Sequence, residues 1–271
     1  MRKQTILSGV LLLGLLSGTV LADKATGEAK IDDKARKVWD RSIEVQFGDV
    51  AKKRNIKTIR MRGEMAMPAQ GMTAKMEMIQ AQNKASMTIE IPNLGKMQEG
   101  FTGKHAWSFS ELQGPALKTD AEAAQSRQQA DIYNTIDWEK YYSAIKHVGE
   151  ESIDNYEGEK RDVDVLELVS KDGERTSKAY FDKETGRNIR TDAEIVIQGG
   201  MTVPNKVVMT DFRTVGGMLV PHKIKSTVGP MEQIVTFQKI TVNEDVPASA
   251  FAVPEEVQAL IAEADKSDDK E

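Results

Sequence analysis

The sequence predicts a mainly β protein with a few helices (α+β), built as a single curved sheet or open barrel with helices packed against one face. Three observations carry this. Apolar residues alternate with polar ones from residue 56 onward in run after run. Turn signals such as Asp172-Gly173, Glu184-Thr185-Gly186, Gly199-Gly200, Gly216-Gly217 and Gly229-Pro230 separate the later runs at short intervals. Helical periodicity is confined to the start, the middle and the end. A half-buried strand needs a period of two, and a helix lying on a sheet needs an apolar stripe with a period near 3.6.

The N-terminus precedes the fold and has another purpose. Arg2 and Lys3 form a positive region, residues 6–16 an apolar core, and residues 17–22 a small-residue stretch ending in Ala22. That order is a secretory signal peptide, with cleavage expected after Ala22. The apolar core is too short to span ~30 Å of hydrocarbon, and no stop-transfer pattern follows. Removing the first 22 of 271 residues leaves a mature chain of 249, expected in the periplasm. The division predicted is 1–22 signal peptide, 23–262 one domain, and 263–271 a disordered acidic tail, since those last residues are charged and lack aromatics.

The domain begins with a helix. Ala35, Val38, Trp39, Ser42 and Ile43 fall at helical spacing behind Asp32 and Asp33, and Gly48 stands where the helix could end. Three strands follow. Ile59, Met61, Gly63, Met65 and Met67 share one face, then Met72, Ala74, Met76 and Met78, then Ala85, Met87, Ile89 and Ile91. Joined by turns, they form an antiparallel meander. Weaker strands are expected at 96–102 and 105–110. Thr119 and Glu122 then make a capping box, opening an Ala- and Gln-rich helix that runs toward Asn134. Trp138, Tyr141, Tyr142 and Ile145 recur at i, i+3, i+4 and i+7, the stripe of a second short helix. Seven further strands are expected, at 148–153, 161–169, 176–181, 188–197, 206–215, 219–227 and 231–242. Pro254 opens a last helix with Val257, Leu260 and Ile261 on one side.

Composition excludes several functions. With no cysteine, the chain forms no disulfide, offers no thiol to a metal or a substrate, and carries no lipid on a cysteine of its own. A formal net charge of −5 lacks the basic footprint of a nucleic-acid binder. His105, His147 and His222 are far apart and match no metal-ligand spacing. The turn at 182–186 superficially suggests a Ca²⁺ loop but lacks the later bidentate Glu in register. No GxSxG, Walker-A or SxxK pattern occurs. The expectation is a binding protein without catalytic residues, cofactor or metal.

Four segments, in order, resemble the periplasmic lipoprotein-carrier superfamily, the outer-membrane lipoprotein-sorting proteins. They are residues 99–107, 179–187, 210–223 and 243–254. The resemblance extends over most of the mature chain and rests on the four together. It implies an unclosed antiparallel β-barrel of about eleven strands with a helical lid over its concave side, binding acyl chains of lipoproteins or other lipids. It also implies inner- and outer-membrane protein partners, and a monomeric carrier is expected. The chain departs from that pattern in its length and in its methionine-rich first strands, and no lid-latching arginine aligns; Arg60 and Arg62 sit on the polar strand face. Relatives of this shape also act as envelope-stress sensors, so a sensor or scaffold that binds a membrane protein is the alternative.

The methionine run admits three readings: ordinary core, a wall against an irregular apolar guest, or a soft-metal Cu(I) site built on the Met65/Met67 and Met76/Met78 pairs. Thioethers are flexible and polarizable, which suits the second. The expected hydrophobic lining is Met61, Met65, Met67, Met72, Met76, Met78, Met87, Ile89, Trp107 and Phe109. The expected lid residues are Trp138, Tyr141, Tyr142 and Ile145, which pack either on a guest or permanently on the sheet. Hydrocarbon alone suffices for tight holding: at roughly 0.8 kcal/mol per buried methylene, a ~15-methylene chain offers on the order of 12 kcal/mol before the costs of binding.

Overall fold

The structure is a computed structural model that describes residues 28–118, 120–171, 173, 175–197 and 201–268. The expected signal peptide, Thr119 of the capping box, the Gly199-Gly200 turn and residues 269–271 lie outside the described residues.

The elements run β1 (Lys30–Ile31), α1 (Asp33–Phe47), α2 (Asp49–Lys53), then β2 (Thr58–Met67), β3 (Met72–Ala81), β4 (Lys84–Ile91), β5 (Gly95–Phe101), β6 (Ala106–Ser110) and β7 (Gly114–Lys118). Next come α3 (Asp120–Ala130) and a 3-10 turn at Trp138–Lys140. The second run of strands is β8 (Tyr142–Tyr156), β9 (Glu159–Ser170), β10 (Thr176–Asp182), β11 (Asn188–Ile197), β12 (Met201–Val215), β13 (Met218–Val228) and β14 (Met231–Val242). A 3-10 turn at Ala248–Phe251 and α4 (Glu255–Asp268) close the chain.

All fourteen strands belong to one open sheet in the order β1-β8-β9-β10-β11-β12-β13-β14-β2-β3-β4-β5-β6-β7. Two meanders, β2–β7 and β8–β14, are joined where β14 pairs antiparallel with β2. The predicted mainly β, unclosed sheet is therefore correct, with fourteen strands against the twelve read along the sequence and the eleven or so that the resemblance implies. The additions are short: β1 has two residues and is the one parallel partner, on β8, and β7 has five.

This topology places the helices. β7 is one edge of the sheet, and β8 lies next to the other edge. Residues 119–141, which connect them, must cross the sheet from side to side. Residues 32–57 likewise lead from edge strand β1 to central strand β2. Helix α1 starts because the Asp32 carboxylate accepts the Ala35 N–H at 2.8 Å, and its other oxygen takes the His147 N–H of β8 at 2.7 Å. One side chain thus caps the helix and pins it to the sheet. The helix ends at Gly48, which has φ 47° and donates its N–H to Glu44. The β12–β13 hairpin turns on Gly216 and Gly217, both at positive φ, as a two-residue turn of right-handed strands requires. A Cβ on Gly216 would also lie 1.9 Å from a Val242 methyl.

Two expectations need correction. The stripe Trp138–Tyr141–Tyr142–Ile145 is not one helix: Trp138 stands in the 3-10 turn, while Tyr142 and Ile145 belong to β8. Four apolar residues at helical spacing fit a strand equally well when a bulge interrupts it, and β8 shifts register between Tyr142 and Ala144. At the other end, α4 continues to Asp268, six residues into the stretch read as a disordered tail. Asp265 there holds Lys104 and His105, which gives a charged helix end a fixed contact.

Candidate functional site

The strand register shows where the predicted lining lies. Met61, Met78 and Met87 stand in one cross-strand row, Met67 opposes Met72, and Met76 opposes Ile89. All are on the face that α3 also approaches. Most of this wall is already covered: Met65 is fully buried, and Met61, Met67, Met76, Met87 and Ile89 are nearly so. All of these but Met67 pack with Phe47 and Val50 from the first two helices and with Ile132, Tyr133 and Ile136 from the segment after α3. Met72 and Met78 are half-buried at the margin.

Trp107 and Phe109 do not join them. Glu99 opposes Met87 and Ser108, so on β6 the residues facing the methionines are Ala106, Ser108 and Ser110. Trp107 opposes Gly100 on the reverse face, where a Cβ on Gly100 would come within 2.7 Å of the indole. Trp107 is buried there, and the C-terminal segment, whose turn touches β4 and whose helix touches β6 and β7, is at hand to exclude water.

The four expected lid residues form one core with Ala35, Trp39, Leu166, Leu168, Ala179 and Phe181. Trp39 meets Phe181 edge-on at 6.0 Å. Tyr141 donates its hydroxyl to Asp131 at 2.7 Å; burial, with that carboxylate, pushes the phenol far above its usual range. Tyr142 accepts from the Gln128 amide at 3.1 Å. These side chains anchor the crossing segment, and through Gln128 and Ala124 they hold α3 as well. Helix α3 buries Ala124, Gln125, Gln128 and Ala130, with no large apolar side chain among them, and is tied to β3 where the Gln80 amide donates to the Gln129 carbonyl.

Clefts remain between the sheet and the helices. One, of about 420 Å³ including its mouth, lies between α3 and strands β3–β5, lined by Met78, Met87, Ala85, Phe101, Ser126 and Gln129. Glu99 also borders it and pairs with Lys118 of β7. Burial raises the Glu99 pKa despite that lysine, and Glu122 of α3 pushes the same way. The second, also about 420 Å³, lies between α1 and strands β9–β11, walled by Trp39, Tyr142, Leu168 and Phe181 with Ser42, Asn188 and Thr191. The third, about 330 Å³, lies between α1 and strands β11–β13, lined by Val45, Met209, Phe212, Leu219 and Arg187. The last two share Ser42, Gln46 and Asn188 as walls.

No motif or spacing marked the α1 clefts. Ser42 read as part of the first helix's stripe, Arg187 as the end of a resemblance segment and Asn188 as the start of a strand. One assembly of ligating groups also appears only in three dimensions: His147, Glu150 and Asp164 bring their polar atoms within 4.8 Å of one another. Glu150 is already held by Lys34 and Lys183, and Asp164 by the His147 ring at 2.7 Å, so the group is an ion-pair cluster.

Neither a protein-family model nor a curated protein sequence matches this chain. Solved structures do. A LolA superfamily protein from Nitrosomonas europaea superposes with a TM-score of 0.51 at 14% identity, covering 81% of this chain and 97% of that one. A DUF1329 family protein from Desulfovibrio piger gives 0.56 at 11% identity, covering 83% and 100%. A domain provisionally ascribed to outer membrane lipoprotein sorting, from Vibrio parahaemolyticus, gives 0.50 at 12% identity, covering 79% and 97%. The resemblance read from the four sequence segments is thus met at the level of architecture: this chain has the LolA-like fold, an open antiparallel sheet with helices laid across it.

Proposed function

We propose that the chain is an extracytoplasmic carrier that holds the acyl chain of a lipid or lipoprotein between its open sheet and the helices crossing it. The observation that carries this reading is the apolar cleft beneath α3, where Met78, Met87, Ala85 and Phe101 form the floor and a small-residue helix forms the roof. The cleft is narrow as it stands, so an acyl chain is admitted only by movement of the helix above it. Most of the methionine wall is core, as the blandest of its three readings has it; the thioethers that border open space are those nearest α3. The signal peptide pattern directs the chain to the periplasm, where a carrier of hydrocarbon must shield its cargo from water. Among the described residues no helix is long and apolar enough to cross a membrane. Cargo enters when α3 lifts, because α3 is held by two alanines and two glutamines rather than by large apolar side chains.

Native mass spectrometry of the protein purified from its own periplasm tests this. Retained lipid is expected in the wild type. Ser126→Phe, which fills the cleft from the helix side, should remove it without changing secretion or melting temperature. A protein that emerges bare, or a filled variant that keeps its lipid, overturns the reading.

A further inference from the structure

We propose that Arg187 and Asn188 hold the carboxylate head of a single-chain amphiphile in the adjoining clefts beneath α1. This rests on the carrier reading above and names the class of its guest.

Arg187 is half-buried and has no carboxylate partner among the described residues. Its Nε is buried without a hydrogen bond, and its guanidinium carbon lies 5.4 Å from the centre of the Phe212 ring. Arg60, Arg62, Arg161 and Arg190, half-buried like it, each hold a carboxylate. An unpaired cation taken partly out of water is costly, so an arginine left in this state is ready for an anion.

Asn188 points the same way. Its Oδ1 is buried with no donor, while Nδ2 reaches the Thr191 hydroxyl at 3.2 Å. Turned over, the amide accepts from Thr191 instead and leaves Nδ2 free to donate. In either orientation one amide atom lacks a partner, and the second orientation supplies an N–H beside Arg187. The Ser42 hydroxyl and Gln46 amide wall the same two clefts and add donors.

The walls decide between a free anion and an amphiphile. Val45, Met209, Phe212 and Leu219 enclose one cleft, and Trp39, Leu168 and Phe181 line the other. A small hydrated anion gains nothing from such surfaces, whereas an alkyl chain does. One guanidinium fork matches one carboxylate in charge and geometry.

The experiment uses delipidated mature protein and calorimetric titration below the critical micelle concentration. Oleate and monoolein share a chain and differ in the charge of the head. Oleate should bind roughly tenfold tighter to the wild type. R187M should remove that preference and leave monoolein affinity unchanged, and R187K should restore part of it. The ligand-free melting temperature of R187M should fall little, because no ion pair is lost and the methionine still packs on the Phe212 ring. N188A gives a second variant, expected to weaken oleate selectively. If R187M keeps the wild-type preference, or if acetate or inorganic phosphate alone binds as tightly as oleate, the head-group assignment is overturned while the carrier reading stands. If neither oleate nor monoolein binds the wild type, the carrier reading falls and takes this assignment with it.

Discussion

Arg54 grips Asp137 with both arms of its guanidinium, Nη1 reaching Oδ2 at 2.9 Å and Nη2 reaching Oδ1. The pair joins the end of α2 to the segment that leads from α3 into β8, and so couples the two covers of the sheet to each other. Tyr133 reinforces the junction: Ile56 donates its N–H to the phenol oxygen at 2.8 Å, and the Arg54 guanidinium lies 5.3 Å from the ring centre.

That geometry sets a pH signature. The Arg54 hydrogen bonds, with help from Lys140, hold the Asp137 carboxyl at about 2 rather than its usual value. A depressed folded pKa means the contribution is fully present above the unfolded pKa, near 3.8, and is lost as pH falls toward 2. Because Arg54 is 45% exposed, screening reduces the effect to about 1 kcal/mol. Asp137→Asn should therefore melt lower than wild type at pH 6, and the gap should close between pH 4 and 2. Thermal melts across that range check it; a gap independent of pH would show that the pair contributes no charge interaction.

Glu99 and Lys118 behave in the opposite sense. They face each other on the helix-covered side of β5 and β7, and each side chain is about 15% exposed. Lys118→Met strands a buried carboxylate and is expected to cost about 3–5 kcal/mol, whereas Glu99→Leu with Lys118→Met should be close to neutral. Since Glu99 is raised in the folded state, the single Lys118→Met variant should be more stable below pH 4.5 and lose stability as pH rises. Urea titrations of the two singles and the double complete the cycle.

The edge-on contact of Trp39 with Phe181 ties α1 to β10. Trp39→Ala removes the largest side chain that α1 buries and should destabilise the protein by about 3–5 kcal/mol. Chemical denaturation measures it, and a loss below about 1 kcal/mol would mean α1 is not integral to the core.

Helix α3 should open before the sheet does. It buries Ala124, Gln125, Gln128 and Ala130 but no large apolar side chain, and the Gln80–Gln129 and Gln128–Tyr142 hydrogen bonds fasten it. Hydrogen exchange is expected to be faster at α3 amides than in β9 and β10, and Gln80→Ala should speed it further without altering the sheet. Equal protection throughout would make α3 a permanent part of the core.

The alternation of Met61, Met65, Met76, Met87 and Ile89 against charged neighbours determined the first meander, because a one-residue slip in register would turn every one of them to water. Asp32 and Gly48 marked the ends of α1 in the same local way. The open, helix-covered sheet was likewise legible, through its run of strands and turns. What the sequence could not settle was which face each strand shares with distant strands. Trp107 and Phe109 looked like neighbours of the methionines, yet the β5–β6 register turns them to the other side. Tyr142 and Ile145 looked helical, yet pairing with β9 makes them strand. Arg187 is distinguished only by having no partner, and a missing contact leaves no trace in local spacing. Periodicity reports what one segment needs to bury. Only tertiary packing decides what it is buried against, and which polar group is left waiting.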